Sequence, residues 1–442
     1  MKRKCLAVGI ILLFVGTCII PATAQNAKKL SQPISRGNWL YVGGSGPGNY
    51  TTIQDAVNAS SDGDTVFVFQ GSYYGKVVIN KSISLLGENT NRTFINYTYE
   101  PDWHSYVVLI FSHDVMFSGF TAVLEQGDGR LLVLKDSRDC TISHNVFRAK
   151  FGINLLNSSY TSIENNSFFT IVAGINIATY SSYNDITYNW FINAGDPNYL
   201  DTCGLWMDVY PRENVISDNY FYHCSDYAIL SFSPYRNIIE RNVILQNLSN
   251  DEGIAIHIEY SDSIPPGNVI RENDIASCTL GIGLKGDYFT VGNNVIHDND
   301  WGMEFSTFHF SHVTVDNNTF LNDNVGLDLN YGMHGSVFEH NIFHDCGAAL
   351  NLYICQGLTV RHNNITESVR AFYSAESKSN VISQNNLIGN DRNVLSILSR
   401  DIWKGNYWDE PLSHPKLILG ILPFIQFDWH PAQQPYDIPG MR

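Results

Sequence analysis

The sequence predicts an all-β fold, a right-handed parallel β-helix solenoid with an N-terminal capping helix and an extended C-terminal cap. Two observations carry this. An Asn-x-apolar element recurs through most of the chain, with apolar members Phe147, Phe168, Phe191, Phe221, Ile244, Ile275, Ile296, Phe320, Phe343, Ile365, Leu387 and Trp408. Neighbours lie about 21 to 31 residues apart, most near 22, and a period held that far signals a solenoid. Each copy also holds two or three short apolar–polar alternations, such as Gly326-Leu-Asp-Leu329 and Val337-Phe-Glu-His340, split by Gly, Asn, Asp and Ser. Alternation with period two means strands, and the polar breaks mean turns. Such a coil has no room for a long helix, which excludes leucine-rich, ankyrin and tetratricopeptide arrays. Three strands per coil, each stacked about 4.8 Å from its equivalent, give a rod on the order of 60 Å long.

Taken in order, residues 1–24 read as an export signal. Lys2, Arg3 and Lys4 precede an apolar run from Leu6 to Ile20, and Ala22-Thr-Ala24 is a small-residue cleavage site. The run is short for a membrane span, and Leu417–Ile425, broken by Pro423, is too short for a second. The formal net charge is −16, and loss of the leader makes it three units more negative. Nucleic acid and anionic membranes are thereby excluded as default partners, since both need a basic face. The expected location is secreted, periplasmic or cell-surface.

Residues 25–38 are a polar spacer, and residues 39–100 form the N-terminal cap and first coils. Thr51 or Thr52 can N-cap a short helix whose Ile53, Ala56 and Val57 share one face. A solenoid needs its first coil covered, and this helix fits that need. Strands follow at Gly63–Phe69 and Lys76–Ile79. Repeats of about 22 residues fill 101–409. Two long intervals carry insertions at 196–201 and 249–252, with a further loop at 263–266, so the coils from Asp196 to Asp287 are the first place to seek a binding wall. Residues 410–442 hold six prolines, which forbid regular pairing and suggest an extended cover.

The stretch Ile53-Gln-Asp-Ala-Val57, then Gly63-Asp-Thr-Val66 and Gly71-Ser-Tyr73, resembles the start of pectin-lyase-like parallel β-helix proteins. Asn406-Tyr-Trp-Asp409 resembles the ends of NosD-type β-helix proteins, a copper-accessory family of the periplasm with many relatives. The resemblance covers roughly Trp39 to Asp409 and implies the fold, because the family's functions are mixed; it also makes copper a cofactor to consider. The family's lyase motifs are not recognisable here.

The repeated asparagines Asn145, Asn189, Asn219, Asn242, Asn341 and Asn385 read as structural, suiting tight corners and an internal amide ladder. Six cysteines remain after the leader. Cys224, Cys278 and Cys346 occupy equivalent positions in non-adjacent coils, as do Cys203 and Cys355, so these are expected as buried thiols rather than bridges. Ten Asn-x-Ser/Thr sequons permit glycosylation without requiring it.

In the Gly-apolar-x-apolar strand the apolar residues point inward, so x and the residue two further on point outward. Coil by coil, the outward pairs run from Trp206 with Asp208 directly to Ala255 with His257, then Gly283 with Lys285, Glu304 with Ser306 and Asp328 with Asn330. This places Trp206, Asp208, His257, Glu259, Lys285, Glu304, Asp328, Asn330, Tyr353 and Tyr373 along one sheet. Aromatic rings can stack on sugar rings while carboxylates and amides bond hydroxyls. Asp208, His257, Lys285, Glu304 and Asp328 are the catalytic candidates; Trp206, Glu259, Asn330, Tyr353 and Tyr373 are the substrate-binding ones. Glu304 and Asp328 fall at equivalent positions in adjacent coils, about one strand spacing apart, near the roughly 5–5.5 Å of retaining glycosidases. Lys285, His257 and Asp208 are an alternative set for a uronic-acid lyase or epimerase, with Ca²⁺ or another cation neutralising the substrate. The plain alternative is solvation of an exposed sheet.

His340 and His362 stand at equivalent positions in neighbouring coils and could share Cu or Zn. His309-x-x-His312 and His340-x-x-x-His344 are the other close spacings, though turns attract polar residues anyway. The leading expectation is an exported protein binding a polysaccharide or cell-surface glycan, with or without processing it. The alternative is a non-catalytic accessory, scaffold or adhesion protein with a protein partner.

Overall fold

The computed structural model describes residues 37–97, 106–124, 127–193, 201–246, 253–259, 267–332, 334–418, 420–421 and 425–438, with the side chains of residues 193, 307–309 and 421 excepted. The chain divides into two units, residues 1–37 and 38–442. The expected export signal and nearly all of the spacer lie outside the described residues, as do the insertions at 249–252 and 263–266 and all but Asp201 of 196–201.

In the second unit most coils contribute three short strands, as in Leu280–Lys285, Thr290–Gly292 and Val295–His297. Each pairs in parallel with its equivalent one coil on. One face is a sixteen-stranded sheet running from Trp39–Val42 to Arg400–Lys404. At roughly 4.8 Å per strand it is about 70 Å deep, more than the 60 Å expected. The extra coils are the early ones, Trp39–Val42 to Met116–Ser118, which carry no Asn-x-apolar element to count by. The other two faces are hydrogen-bonded as a single 28-stranded sheet, because Val146–Leu156 and Ser167–Ala178 run unbroken round the corner between them.

The apolar anchors form one continuous inward file. Phe147, Phe168, Phe191 and Phe221 stack at 5.1, 4.8 and 4.5 Å with nearly parallel rings. The file continues through Ile244, Ile275, Ile296, Phe320, Phe343, Ile365 and Leu387 to Trp408 in unbroken register. All are buried, each worth about 1.5–3 kcal/mol as side chain removed from water.

Beside this file runs the asparagine ladder. Asn166 Nδ2 donates to Asn189 Oδ1, Asn189 to Asn219, and Asn219 to Asn242, at 3.0–3.1 Å. Each Oδ1 also accepts the backbone N–H of the preceding ladder member. Sequence reasoning puts Asn itself at the tight corner; the structure puts the residue before it there, in the left-handed region. Asn165, Tyr188, Asp218, Arg241, His340 and His362 all have φ between 52° and 56°. The Asn side chain is turned inward by the ladder instead. The six described cysteines are buried, and burial pushes the Cys140 thiol up to about 11 and Cys346 and Cys355 to about 12.

At the N-terminal end a helix spans Ile53–Ala59. Thr52 caps it, its Oγ1 accepting from Asp55 N at 3.1 Å, and Ile53, Ala56 and Val57 are its buried face. Near the other end Lys416–Ile418 and Gln426–Asp428 pair antiparallel, so the prolines of this segment do not forbid regular pairing as expected but fall outside the two paired strands.

Candidate functional site

The residues predicted to face outward on the Gly-apolar-x-apolar strand fall into two files. The first runs Asn154, Asn176, Trp206, Leu230, His257, Gly283, Glu304, Asp328, Asn351 and Tyr373. The second includes Phe232, Glu259 and Lys285, then Ser306, Asn330, Tyr353 and Ala375. Glu304 and Asp328 are direct register partners, as their spacing predicts.

Four expectations need correcting. The coil Tyr227–Phe232 inserts Leu230 and Phe232 between Trp206 and His257, because Ala228 takes the place of the usual Gly and hides the pattern. Ala255 is likewise a Gly substitute rather than an outward partner, so the outward pair of its coil is His257 with Glu259. Asp208 therefore stands apart from His257 and Lys285; its Oδ1 accepts Val209 N at 2.8 Å in a local turn. Trp206 is no open stacking platform either. It packs with Ala173, Leu230, Phe151, Tyr227 and Phe232 in a small cluster of its own.

What the structure does bring together is a cluster across the coils from His257 to Asn351. His257 Nε2 lies 3.1 Å from Glu259 Oε1, and the same oxygen accepts from Lys285 Nζ. Burial and the Lys285 charge hold the imidazole below its ordinary pKa against the pull of Glu259, while Tyr227 packs its ring 5.6 Å away. Burial pushes the Glu259 carboxyl up, but the hydrogen bonds from Lys285 and His257 outweigh it and hold it below the usual range.

The two neighbouring acids are both raised, in different surroundings. Burial first, and then the Asp328 charge, lift Glu304 above the usual carboxylate range, with Lys285 opposing. Burial also lifts Asp328, but it is hydrogen-bonded by two amides, Asn351 and Asn330, the latter at 2.7 Å. Side chains about one strand spacing apart shield one another; His257, Asp328 and Asn351 are only 8–9% exposed despite facing out. Several atoms of the first file are buried with no hydrogen-bond partner: Asn154 Oδ1, Asn176 Oδ1, Trp206 Nε1, His257 Nδ1 and Asn351 Oδ1. Such a string of shielded, unmet donors and acceptors is what a hydroxyl-rich ligand or ordered water would satisfy.

At the far end Arg370 lies over the Tyr373 ring at 5.0 Å, and Tyr353 meets Tyr331 edge-on. Sequence reasoning misses Tyr227 and Arg370 as members of this face because both sit at the strand start, outside the alternation. Of the histidine pairs, His340 and His362 stack at 5.5 Å, whereas His344 bonds Thr366 and His312 stacks on Tyr288. The side chain of His309 lies outside the described residues.

The family comparison agrees with this architecture. The model of the right-handed β-helix region matches residues 63–250 and 246–388. The chain belongs to that family. Pectate lyase A of Emericella nidulans is 25% identical over 234 residues, which is 48% of this chain and 70% of that protein. Among solved structures, a PL6 alginate lyase in complex with a trisaccharide superposes with a TM-score of 0.56 at 11% identity, covering 90% of this chain and 93% of that one. The Dettilon tailspike protein gives 0.54 at 13% identity, covering 70% of this chain and 65% of the tailspike. Likeness at such identities establishes the fold alone.

Proposed function

We propose that this protein binds a polysaccharide along the file from His257 to Tyr373 and processes it at Glu304 and Asp328. The observation that carries the reading is the registered acid pair set between a Glu259–Lys285–His257 cluster on one side and amide donors on the other. In a pair of carboxylates whose surroundings differ, the one held by donated hydrogen bonds, here Asp328, is favoured as the charged partner and the other serves as general acid. Glu304, raised by burial and by its neighbour's charge, is the proton donor to the glycosidic oxygen; Asp328, stabilised by Asn330 and Asn351, is the carboxylate that faces the positive charge developing at the sugar carbon. Their separation of about one strand spacing suits a retaining geometry. Lys285 is engaged by Glu259, which weighs against it as the free base of a lyase and keeps lyase chemistry second. The chain's likeness to a pectate lyase supports a uronic-acid glycan as ligand. In this reading the protein is exported, the Ile53–Ala59 helix and the segment after Asp409 serve as covers, and Ca²⁺ is a candidate cofactor only for uronic-acid substrates.

The test is incubation of the protein with uronic-acid and neutral polysaccharides, with and without Ca²⁺, following new reducing ends, new unsaturated ends and binding. Reducing ends without unsaturation support the reading. Unsaturated products would replace it with a lyase. Binding without products would make the face a non-catalytic recognition surface, and no binding at all would redirect attention to a protein partner.

A further inference from the structure

The ridge of left-handed turns carries a second cluster that shares no residue with the acidic file. Glu339 ends the strand Val337–Glu339, His340 follows in the turn, and His362 occupies the same turn one coil on. One ligand atom from each of Glu339, His340 and His362 lies within 4.8 Å of the others. The left-handed backbone at both histidines, φ 55° and 52°, holds the rings parallel within 9°.

The surroundings set each ligand. Asp316, the register partner of Glu339 in the preceding coil, sits with Oδ1 2.8 Å from His340 Nδ1. A carboxylate only accepts, so Nδ1 carries the proton and Nε2 presents its lone pair; a carboxylate behind an imidazole is the usual support of a metal-bound histidine. His362 Nδ1 is shielded from solvent and has no hydrogen-bond partner, and Tyr436 packs edge-on to the ring at 6.2 Å. Arg361 Nε donates to Glu339 Oε2 at 2.7 Å, which leaves Oε1 for another partner.

We propose that Glu339, His340 and His362 bind a divalent transition-metal ion of the Zn²⁺ or Cu²⁺ class and so clip two adjacent coils together. Two imidazoles and one carboxylate suit these ions rather than Ca²⁺ or Mg²⁺, which take all-oxygen sets. Metal–ligand distances of about 2.0–2.2 Å require the three atoms to draw in by about 1.5 Å, a side-chain adjustment on a half-buried ridge. Water completes the coordination.

The experiment titrates the untagged, metal-free full chain with Zn²⁺ and separately with Cu²⁺ by calorimetry, with Ca²⁺ as control. One ion per chain is expected, bound about 100-fold or more tighter than Ca²⁺, with two imidazole nitrogens in the electron paramagnetic resonance spectrum of the Cu²⁺ form. His340→Gln and His362→Gln each weaken Zn²⁺ affinity by about 100-fold, and Asp316→Asn by about 10-fold, with circular dichroism unchanged. His344→Gln leaves affinity unchanged. Absence of Zn²⁺ and Cu²⁺ binding overturns the proposal, as does binding that the His340→Gln/His362→Gln pair does not move. Should that pair fail to fold, the Cu²⁺ spectrum of the native chain decides: fewer than two imidazole nitrogens overturns it.

Discussion

Asp428 Oδ2 accepts both the backbone N–H of Asn406, at 2.8 Å, and its side-chain Nδ2, at 3.2 Å. It thereby does for the last member of the asparagine ladder what each asparagine does for the one before it. The same carboxylate accepts from Trp408 Nε1 at 3.1 Å and from Gly405 N at 2.9 Å, and Asp428 is fully buried. Asp428→Ala would remove the acceptor of Asn406 N, Trp408 Nε1 and Gly405 N at once, while Asn406 Nδ2 keeps the Ile382 carbonyl. We expect a loss of about 3 kcal/mol or more, read as a fall in the denaturation midpoint with an unchanged slope.

A second buried carboxylate makes stability depend on pH. Asp323 Oδ1 accepts Asn299 N and Nδ2, both at 2.9 Å, while Oδ2 is buried without a partner. Burial outweighs those hydrogen bonds and moves the group from its usual 3.8 to about 7. The folded chain then holds this proton where the unfolded chain has released it. Its contribution is complete below about pH 4 and is lost as pH rises through about 7, a loss on the order of a few kcal/mol. Asp323→Asn removes the dependence, so the variant should melt above wild type at pH 8 and no longer do so at pH 4. A difference in Tm that stays constant across that range would contradict this.

Close stacking of the coils leaves no space at certain glycines. A Cβ on Gly152 would meet the Gly174 carbonyl oxygen at 2.3 Å and the Phe168 ring at 3.0 Å, whereas on Gly253 the nearest atom is 3.4 Å away. Gly152→Ala should cost about 1–3 kcal/mol in chemical denaturation, and Gly253→Ala close to nothing.

Trp206 separates packing from recognition. Because it sits in the cluster with Ala173 and Leu230, Trp206→Ala should lower stability by about 2–3 kcal/mol while leaving the Kd for a bound glycan within about twofold. A large loss of affinity at unchanged stability would return it to the binding face.

The core was legible because the period of the anchors and the alternation inside each coil are direct consequences of stacking. Phe147 to Trp408 occupy the positions that the spacing assigns them. The pairing of Glu304 with Asp328, and of His340 with His362, followed from the same count. Register errors arose where Ala228 and Ala255 replaced glycine, which moved the apparent alternation and hid the Leu230 coil. Packing around Trp206 and the support of Asp328 by Asn351 depend on side chains contributed by other coils, and no pattern within one coil carries that information.

The most direct test compares the wild-type chain with Glu304→Gln and Asp328→Asn on the glycan it binds best, measuring binding and new reducing ends together. The account predicts that each variant keeps its fold and binds within about tenfold of wild type. It also predicts that each loses about 100-fold or more in rate, with Glu304→Gln abolishing the alkaline limb of the pH profile. Equal rates in wild type and both variants would contradict it and leave the acid pair as solvated surface.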